Sequence, residues 1–262
     1  MQPSHANAIH RLPRQLPAGQ PLVGPNGRFR APTHGSERAP QDLAGRRQRA
    51  ASNGPDGPPA GTRVTGRDGG GSGRHSDDTS LVDHFLIAMP ALDDPNFSRA
   101  VIYVCQHDDH GAMGLTINRR GDFDLSHVLE QVGQASASAQ INNQPVLLGG
   151  PVMPERGFVL HQTDERRWDS SLQVTAQLAV TTSRDILHAF SDGQPPRRQL
   201  FALGYAGWGA GQLERELLDN AWLTVPADHA ILFDTPIEQR WQAAAGLIGI
   251  DPLQLSGYSG HA

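Results

Sequence analysis

The chain has 262 residues and a formal net charge of −5 at neutral pH, and both charge and composition change near residue 80. Eleven of the 22 basic residues and six of the 27 acidic residues precede residue 81, so the remainder carries 11 basic against 21 acidic side chains, a net charge of −10. Such an acidic region is unsuited to general binding of phosphate backbones, because nucleic-acid affinity depends largely on cationic contacts.

All of the basic residues are arginine. The absence of lysine excludes a Walker-type phosphate loop, Schiff-base chemistry and a Ser-x-x-Lys mechanism, each of which requires an amine. The single cysteine, Cys105, excludes an intrachain disulfide and any CxxC motif. Such low cysteine content favours a protein of the reducing cytoplasm. No apolar run reaches about 18 residues, the length that spans a bilayer, so no membrane segment is expected.

Residues 1–80 have the composition of a disordered extension. They hold 10 of the 20 Pro and 13 of the 29 Gly, but only nine Val, Ile, Leu, Met or Phe residues. So few apolar side chains cannot offset the ordering of the backbone, which costs about 1–2 kcal/mol per residue. Residues 81–262 alternate apolar runs with turn residues and can bury roughly two-thirds of their unfolded surface in one core. The sequence therefore predicts one domain over 81–262.

Short apolar runs bounded by Pro, Gly or polar residues predict nine strands in this domain. In chain order they are 85–89, 100–105, 114–118, 145–148, 157–161, 178–181, 199–203, 222–225 and 230–233. Capping residues predict four helices. They are 125–132 after Asp124, a helix through Phe190 after Ser183, 212–219, and a helix from Thr235-Pro236 to about Leu247. Hairpins mixed with strand–helix units indicate a mixed sheet with helices on its faces.

Residues 204–214 are the strongest candidate site. A predicted strand, a glycine-rich turn over 204–211 and a helix N-terminus follow one another, and such an arrangement can bind anions through free N–H groups. The dinucleotide fingerprint is not matched, because Gln212 or Glu214 stands where its third glycine would be. A tight turn whose glycines let Tyr205 and Trp208 pack closely is the preferred interpretation.

Five other groups of residues have both a functional and a structural interpretation. They are the polar loop with Asp94, Asn96, Ser98 and Arg99; the metal-like cluster His107-Asp108-Asp109-His110; the helical pair His127 and Glu130; Cys105 as a redox switch; and Ser256 to Gly260 as a nucleophile motif. Asp-Pro is a turn signal, and two histidines in a hairpin lack the fixed geometry of a helical pair. The HxxE spacing of His127 and Glu130 is as typical of a surface pair as of a functional one. A buried thiol near acidic side chains is inert. The serine segment lacks the GxSxG spacing of a nucleophile motif. We expect no catalytic residue, metal or cofactor.

Several segments together resemble the YqgE/AlgH family of bacterial proteins. They are HFLIAMP at 84–90, DPNFSR at 94–99, GLTINR at 114–119, GGPV at 149–152, GYAGWG at 204–209 with GQLE at 211–214, and NAWL at 220–223. The resemblance covers about residues 81–262, with Arg120 standing where similar sequences have Pro. It implies a compact α/β fold of coiled mixed sheets. The family has no accepted active site, and the AlgH name comes from a proposed regulatory role in alginate production.

The expected fold is therefore α/β (α+β-like), a compact single domain of mixed, coiled β-sheets flanked by short helices. Similar proteins begin shortly before residue 81, so the extension is also interpreted as an over-extended reading frame, with initiation at Val64 if its codon is GTG.

We expect a non-enzymatic regulatory or interaction protein of the cytoplasm, a monomer that acts through a protein partner. The alternative is a small-molecule or nucleotide-binding protein, or an enzyme, with a pocket between the 90–99 and 204–214 loops. Direct DNA binding is disfavoured because the short helices carry only isolated arginines. The candidate ligand or partner site comprises Asp94, Asn96, Arg99, Asn118, Gly149, Gly150, Gly204, Tyr205, Gly207, Trp208, Gly209 and Gln212.

Overall fold

Ten strands carry the fold in a computed structural model, which describes residues 80–90, 92, 94–136 and 138–249. The strands are β1 (His84–Ala88), β2 (Val101–Asp108), β3 (Gly111–Thr116), β4 (Arg120–Asp124), β5 (Pro145–Leu148), β6 (Val152–Gln162), β7 (Ser171–Gln173), β8 (Leu178–Thr181), β9 (Gln199–Gly209) and β10 (Trp222–Pro226). The helices are α1 (Leu125–Gln131), α2 (Ala139–Asn142), α3 (Asp185–Ser191), α4 (Gln212–Leu218), α5 (His229–Phe233) and α6 (Arg240–Leu247). The expected extension up to residue 79, Val64 and the Ser256 segment lie outside the described residues.

The strands form one curled sheet in the order β10-β1-β2-β3-β9-β6-β8-β7. Every neighbouring pair along this path is antiparallel. Strand β5 adds to β9 in parallel, and β4 pairs antiparallel with β5. The sheet is therefore mixed and short helices flank it, which confirms the expected fold class.

Strand β9 joins the two halves of this sheet. Its residues 199–205 pair with β6, and within them 201–203 also pair with β5, whereas residues 206–209 pair with β3. Gly204 lies just before this change of partner, between Leu203 and Tyr205 where the pairing with β6 shifts register, and its φ of 69° is in the left-handed region that glycine adopts at low cost. One strand thus serves both halves and bends between them.

The core occupies both faces of the sheet, which explains why β1 and β2 are continuous apolar runs. Phe85 and Ile87 pack in a cluster with Leu232 of α5 and Ala244 of α6. Leu86 alternates to the opposite face, in the cluster that contains α4. A third cluster packs α1 and α3 against the other half of the sheet through Leu125, Leu129, Ile186, Phe190 and Phe201.

Two sequence predictions in the last third of the chain are wrong. Residues 204–209 continue strand β9 instead of forming a turn, because their backbone finds partners in β3 and β6. The predicted strand over 230–233 is the helix α5, since the Asp228 side chain accepts a hydrogen bond from the N–H of Ala230 at 2.8 Å and caps it. A short apolar run does not by itself distinguish the two structures.

Predicted helix caps also differ from those observed. Thr235 donates its hydroxyl to the Ala230 carbonyl at 3.2 Å, a 3-10 turn covers Ile237–Gln239, and α6 begins only at Arg240. The Asp124 carboxylate binds Arg120 at 2.9 Å without capping α1. Ser183 lies one residue before the N-cap of α3, and its hydroxyl oxygen accepts from the N–H of Ser170.

Candidate functional site

The 94–99 segment is a turn held by its own backbone and side chains. The Asp94 carboxylate accepts a hydrogen bond from the N–H of Asn96 at 2.7 Å, and the Asp94 carbonyl accepts from Phe97 and Ser98. This is the turn chemistry expected of an Asp-Pro-Asn sequence. Asn96 and Arg99 are exposed, whereas Asp94 is half-buried and its carboxylate is occupied within the turn.

Two side chains that follow β3 fix this turn to the sheet. The Asn118 amide accepts from the N–H of Val101 and donates to the carbonyl of Arg99, both at 2.8 Å. The Arg119 guanidinium donates to the carbonyls of Pro95 and Ser98, both at 2.9 Å. Asn118 and Arg119 therefore bind backbone and position the turn. Arg119 was not among the candidates, because no local signal indicates which carbonyls it reaches.

Aromatic rings bring the turn and the 204–214 segment together. The Phe97 ring lies 6.4 Å from that of Trp208 and 5.7 Å from that of Trp222, measured between centroids, and the two indoles are 6.0 Å apart. These separations are within the range for favourable aromatic pairs. The two segments, between which the alternative function places a pocket, meet through three packed rings. Phe97 and Trp222 were absent from the candidate set.

Glu216 of α4 binds both indoles. Its Oε2 accepts hydrogen bonds from Nε1 of Trp208 at 2.9 Å and Nε1 of Trp222 at 2.8 Å, and its Oε1 accepts from the Gln212 amide at 2.9 Å. Gln212 in turn accepts from the N–H of Gly209 at 3.1 Å. A single carboxylate thus fastens α4 to β9 and β10. Glu216 was missed as a site residue because its two indole partners lie on β9 and β10, which are separated by three strands in the sheet.

The candidate glycines allow backbone segments to approach closely. A Cβ atom on Gly204 would lie 2.3 Å from the Gly150 carbonyl oxygen, and one on Gly149 would lie 2.3 Å from that of Gly204. A Cβ on Gly207 would lie 2.9 Å from the ring of Tyr205. Tyr205 is itself buried, and burial raises the pKa of its phenol. Gly149, Gly204 and Tyr205 are buried beneath the site, whereas Gly207, Gly209 and Gln212 are exposed at its surface.

His107 contacts the same helix from β2. Its Nδ1 accepts from the N–H of Leu81 at 3.0 Å, so Nε2 carries the ring hydrogen and donates to Glu214 Oε1 at 2.8 Å. The pKa of Glu214 is lowered, first by its own backbone N–H and then by His107. His110 is instead exposed beside Asp108. Over the described part of the chain, no group of three or more His, Cys, Asp or Glu side chains could hold a metal ion.

The remaining candidates lie apart from this surface. Cys105 is 2 % exposed in β2, its thiol lies 3.5 Å from the Tyr103 carbonyl, and burial raises its pKa. His127 and Glu130 are both exposed on α1. Cys105 is thus buried in a strand as expected.

The fold and this surface define a class of protein: a mixed α/β domain whose curled sheet carries short helices, with a turn and a helix locked together by an aromatic cluster. The family described as AlgH-like matches residues 85–253. The chain belongs to this AlgH-like family, as its sequence resemblance indicated.

Several relatives agree with this assignment. A UPF0301 protein from Xanthomonas campestris pv. campestris (strain B100) is 56% identical over 184 residues, 70% of this chain and 97% of the relative. The solution structure of the AlgH protein from Pseudomonas aeruginosa has a TM-score of 0.59 and 48% identity, covering 72% of this chain and all of that one. A crystal structure of a Corynebacterium diphtheriae protein, at 21% identity and a TM-score of 0.52, shares the fold over 70% of this chain and 93% of its own.

Within the described residues, no helix is long and apolar enough to cross a membrane.

Proposed function

We propose that this protein is a non-enzymatic regulatory or interaction protein of the cytoplasm, and that it acts through a protein partner. The proposed contact surface, here called the α4 face, consists of the exposed side of α4 and the 94–99 turn. The observation that carries the proposal is Leu218 at the end of α4, whose relative exposure of 81% is the highest among the exposed large hydrophobic residues of the part of the chain that the structure describes.

The rigidity of the α4 face supports this function. Leu213 buries one side of α4 in the core, and Glu216 binds the indole of Trp208 on β9 and that of Trp222 on β10. Asn118 and Arg119 fix the adjacent turn through four hydrogen bonds to backbone groups. A surface held in this way loses little conformational freedom when a partner binds, which lowers the cost of association.

Charge around Leu218 indicates the chemistry of the partner. Glu214 and Asp219 are exposed on the same helix and the residue after it, and Arg215 is the one basic side chain among residues 212–219. Together with the net charge of −10 over residues 81–262, this favours a partner whose basic residues surround a small apolar patch. The apolar patch would cover the Leu218 side chain.

The experiment is affinity capture from a bacterial lysate with the full chain and two matched variants. Leu218→Arg places a charge at the centre of the α4 face, and Leu247→Arg makes the same change at a leucine of α6 that is 42% exposed. We expect a partner that wild type and Leu247→Arg retain, that Leu218→Arg loses, and that rising salt releases. If both variants lose the partner, or if both retain it, the α4 face is not the contact surface.

The alternative function places a small ligand between the 90–99 and 204–214 loops. In the structure these segments meet through the rings of Phe97, Trp208 and Trp222, which pack against one another. This packing favours an interaction surface over a ligand pocket at this place. A metabolite screen by thermal shift tests the alternative, because a ligand specific to the native state raises its apparent stability.

A further inference from the structure

Arg240, the first residue of α6, is a buried cation without an acidic partner. The relative exposure of this residue is only 4%. Its Nε donates to the Thr235 carbonyl at 3.0 Å and its Nη1 to the Ile117 carbonyl at 2.6 Å. Among the described residues, no carboxylate lies within 4.0 Å of the guanidinium, and no acceptor is bonded to Nη2.

This arrangement is energetically unusual. A charge removed from water without a counter-charge costs several kcal/mol, and two carbonyl oxygens neutralise only part of it. Desolvation accordingly lowers the pKa of Arg240 to about 10, although Glu238 opposes the shift. A guanidinium has five N–H groups, so those not used by the two carbonyls stay available for an anion.

Arg240 also lines a cavity of about 420 Å³, whose other lining residues come mainly from β5, β9 and the segment that leads into α6. Its walls include Leu147, Leu200, Phe201 and Ile237 on the apolar side and the amides of Gln144 and Gln199 on the polar side. The two amides also line a neighbouring cavity of about 430 Å³. Volumes of about 300–1,000 Å³ are typical of small-molecule sites, and seven of the fourteen residues that line this cavity are apolar.

The other charges in the cavity wall restrict what can bind. Arg120 is paired with Asp124 at 2.9 Å, and Asp234 is paired with Arg198 at 2.5 Å, so neither contributes a free charge. Glu238 in the same wall is exposed and repels negative charge on a ligand, which disfavours ligands that carry more than one such charge. The cavity therefore suits one negative charge attached to an apolar body, and a phosphate ester or nucleotide carries too many.

We propose that Arg240 and its cavity bind a small monocarboxylic acid, with the carboxylate on the guanidinium and the hydrocarbon chain against Leu200, Phe201 and Ile237. Nothing in the sequence distinguishes Arg240 from the other isolated arginines of the short helices. The α4 face is formed by other residues, so failure of either proposal leaves the other standing.

The test is thermal unfolding of the full chain with sodium butyrate or hexanoate as the probe, at constant ionic strength. Butyramide removes the charge and inorganic phosphate increases it. At ten times its Kd a carboxylate should raise Tm by roughly 3–6 °C. Butyramide and phosphate should leave Tm unchanged, and hexanoate should bind more tightly than butyrate because it buries more hydrocarbon.

Three variants locate the effect. Arg240→Gln should abolish the shift, and Gln144→Trp should abolish it by filling the cavity while the carbonyl contacts of Arg240 stay intact. Arg166→Gln is the matched control, since Arg166 is paired with Asp164 at 2.5 Å and lines a different cavity. If Arg240→Gln does not fold, Gln144→Trp decides. The proposal is overturned if no carboxylate raises Tm, if butyramide or phosphate does so equally, or if the shift persists in Gln144→Trp.

Discussion

Replacing Gly204 by alanine tests whether the glycine-rich segment is the bend of a shared strand. Two separate costs are expected. An L-residue at φ of 69° is strained by about 1–2 kcal/mol. In addition, the new Cβ would lie 2.3 Å from the Gly150 carbonyl oxygen and 3.1 Å from Pro154 Cα, so backbone on the neighbouring segment must move. Overpacking of this kind costs about 1–3 kcal/mol more.

Gly133→Ala separates the two costs. Gly133 has φ of 74°, almost the same as Gly204, but a Cβ there would meet no atom within 4 Å. This control should therefore lose only the strain energy, about 1–2 kcal/mol. Gly204→Ala should lose about 2–5 kcal/mol in total, a large share of the 5–15 kcal/mol typical of a domain.

The assay is equilibrium unfolding in urea, followed by tryptophan fluorescence, on the full chain and both variants. The difference in free energy of unfolding between Gly204→Ala and Gly133→Ala measures the cost of the close backbone contact alone. If Gly204→Ala costs no more than Gly133→Ala, then Gly150 does not press against β9 in solution. The account of β9 as a tightly packed bend would then be wrong.

Three further predictions concern buried polar groups. Glu216→Gln should lower the free energy of unfolding by about 1–3 kcal/mol, because an amide cannot accept from Trp208, Trp222 and the neighbouring glutamine together; an unchanged urea midpoint would contradict the shared carboxylate. Cys105 should react with a thiol reagent at least about tenfold more slowly in the native protein than in urea, because burial raises its pKa; equal rates would refute this. Burial lowers the pKa of His161 below its ordinary 6.5, so the unfolded chain alone binds this proton between pH 6.5 and the folded pKa, and stability falls as pH decreases through that window. His161→Gln should reduce this loss relative to wild type in urea titrations at pH 5 and 7.5, and an identical pH dependence would exclude the assigned role.

Much of the sheet could be predicted because its strands are apolar on both faces. Strand β8 lies at 178–181 as predicted, and β1, β5 and β10 lie within one residue of the predicted runs. Strands β4 and β7 were missed, because each has only one apolar buried position or none and is defined by its pairing partner. Short polar strands carry no periodic signal of their own.

The candidate site was predicted in part for a related reason. The Asp94 turn and the glycine-rich segment stand out locally, and they do lie against one another. Glycine, however, serves both a tight turn and a close backbone approach, and the sequence does not separate these uses at Gly204. The role of Glu216 depends on Trp208 of β9 and Trp222 of β10 lying within reach of one carboxylate, and the positions of both strands are set by pairing over long sequence distances.

The position of β9 and β10 has a consequence for synthesis of the protein. Strands β1 to β3, over residues 84–116, are made first, yet β3 takes its second partner from β9 and β1 from β10. Until residue 226 leaves the ribosome, three very apolar strands have open edges and uncovered faces. Pairings this distant in sequence form slowly, and open edges promote aggregation. The nascent chain is therefore prone to aggregate until β9 and β10 are made, and truncation before β9 should yield insoluble protein.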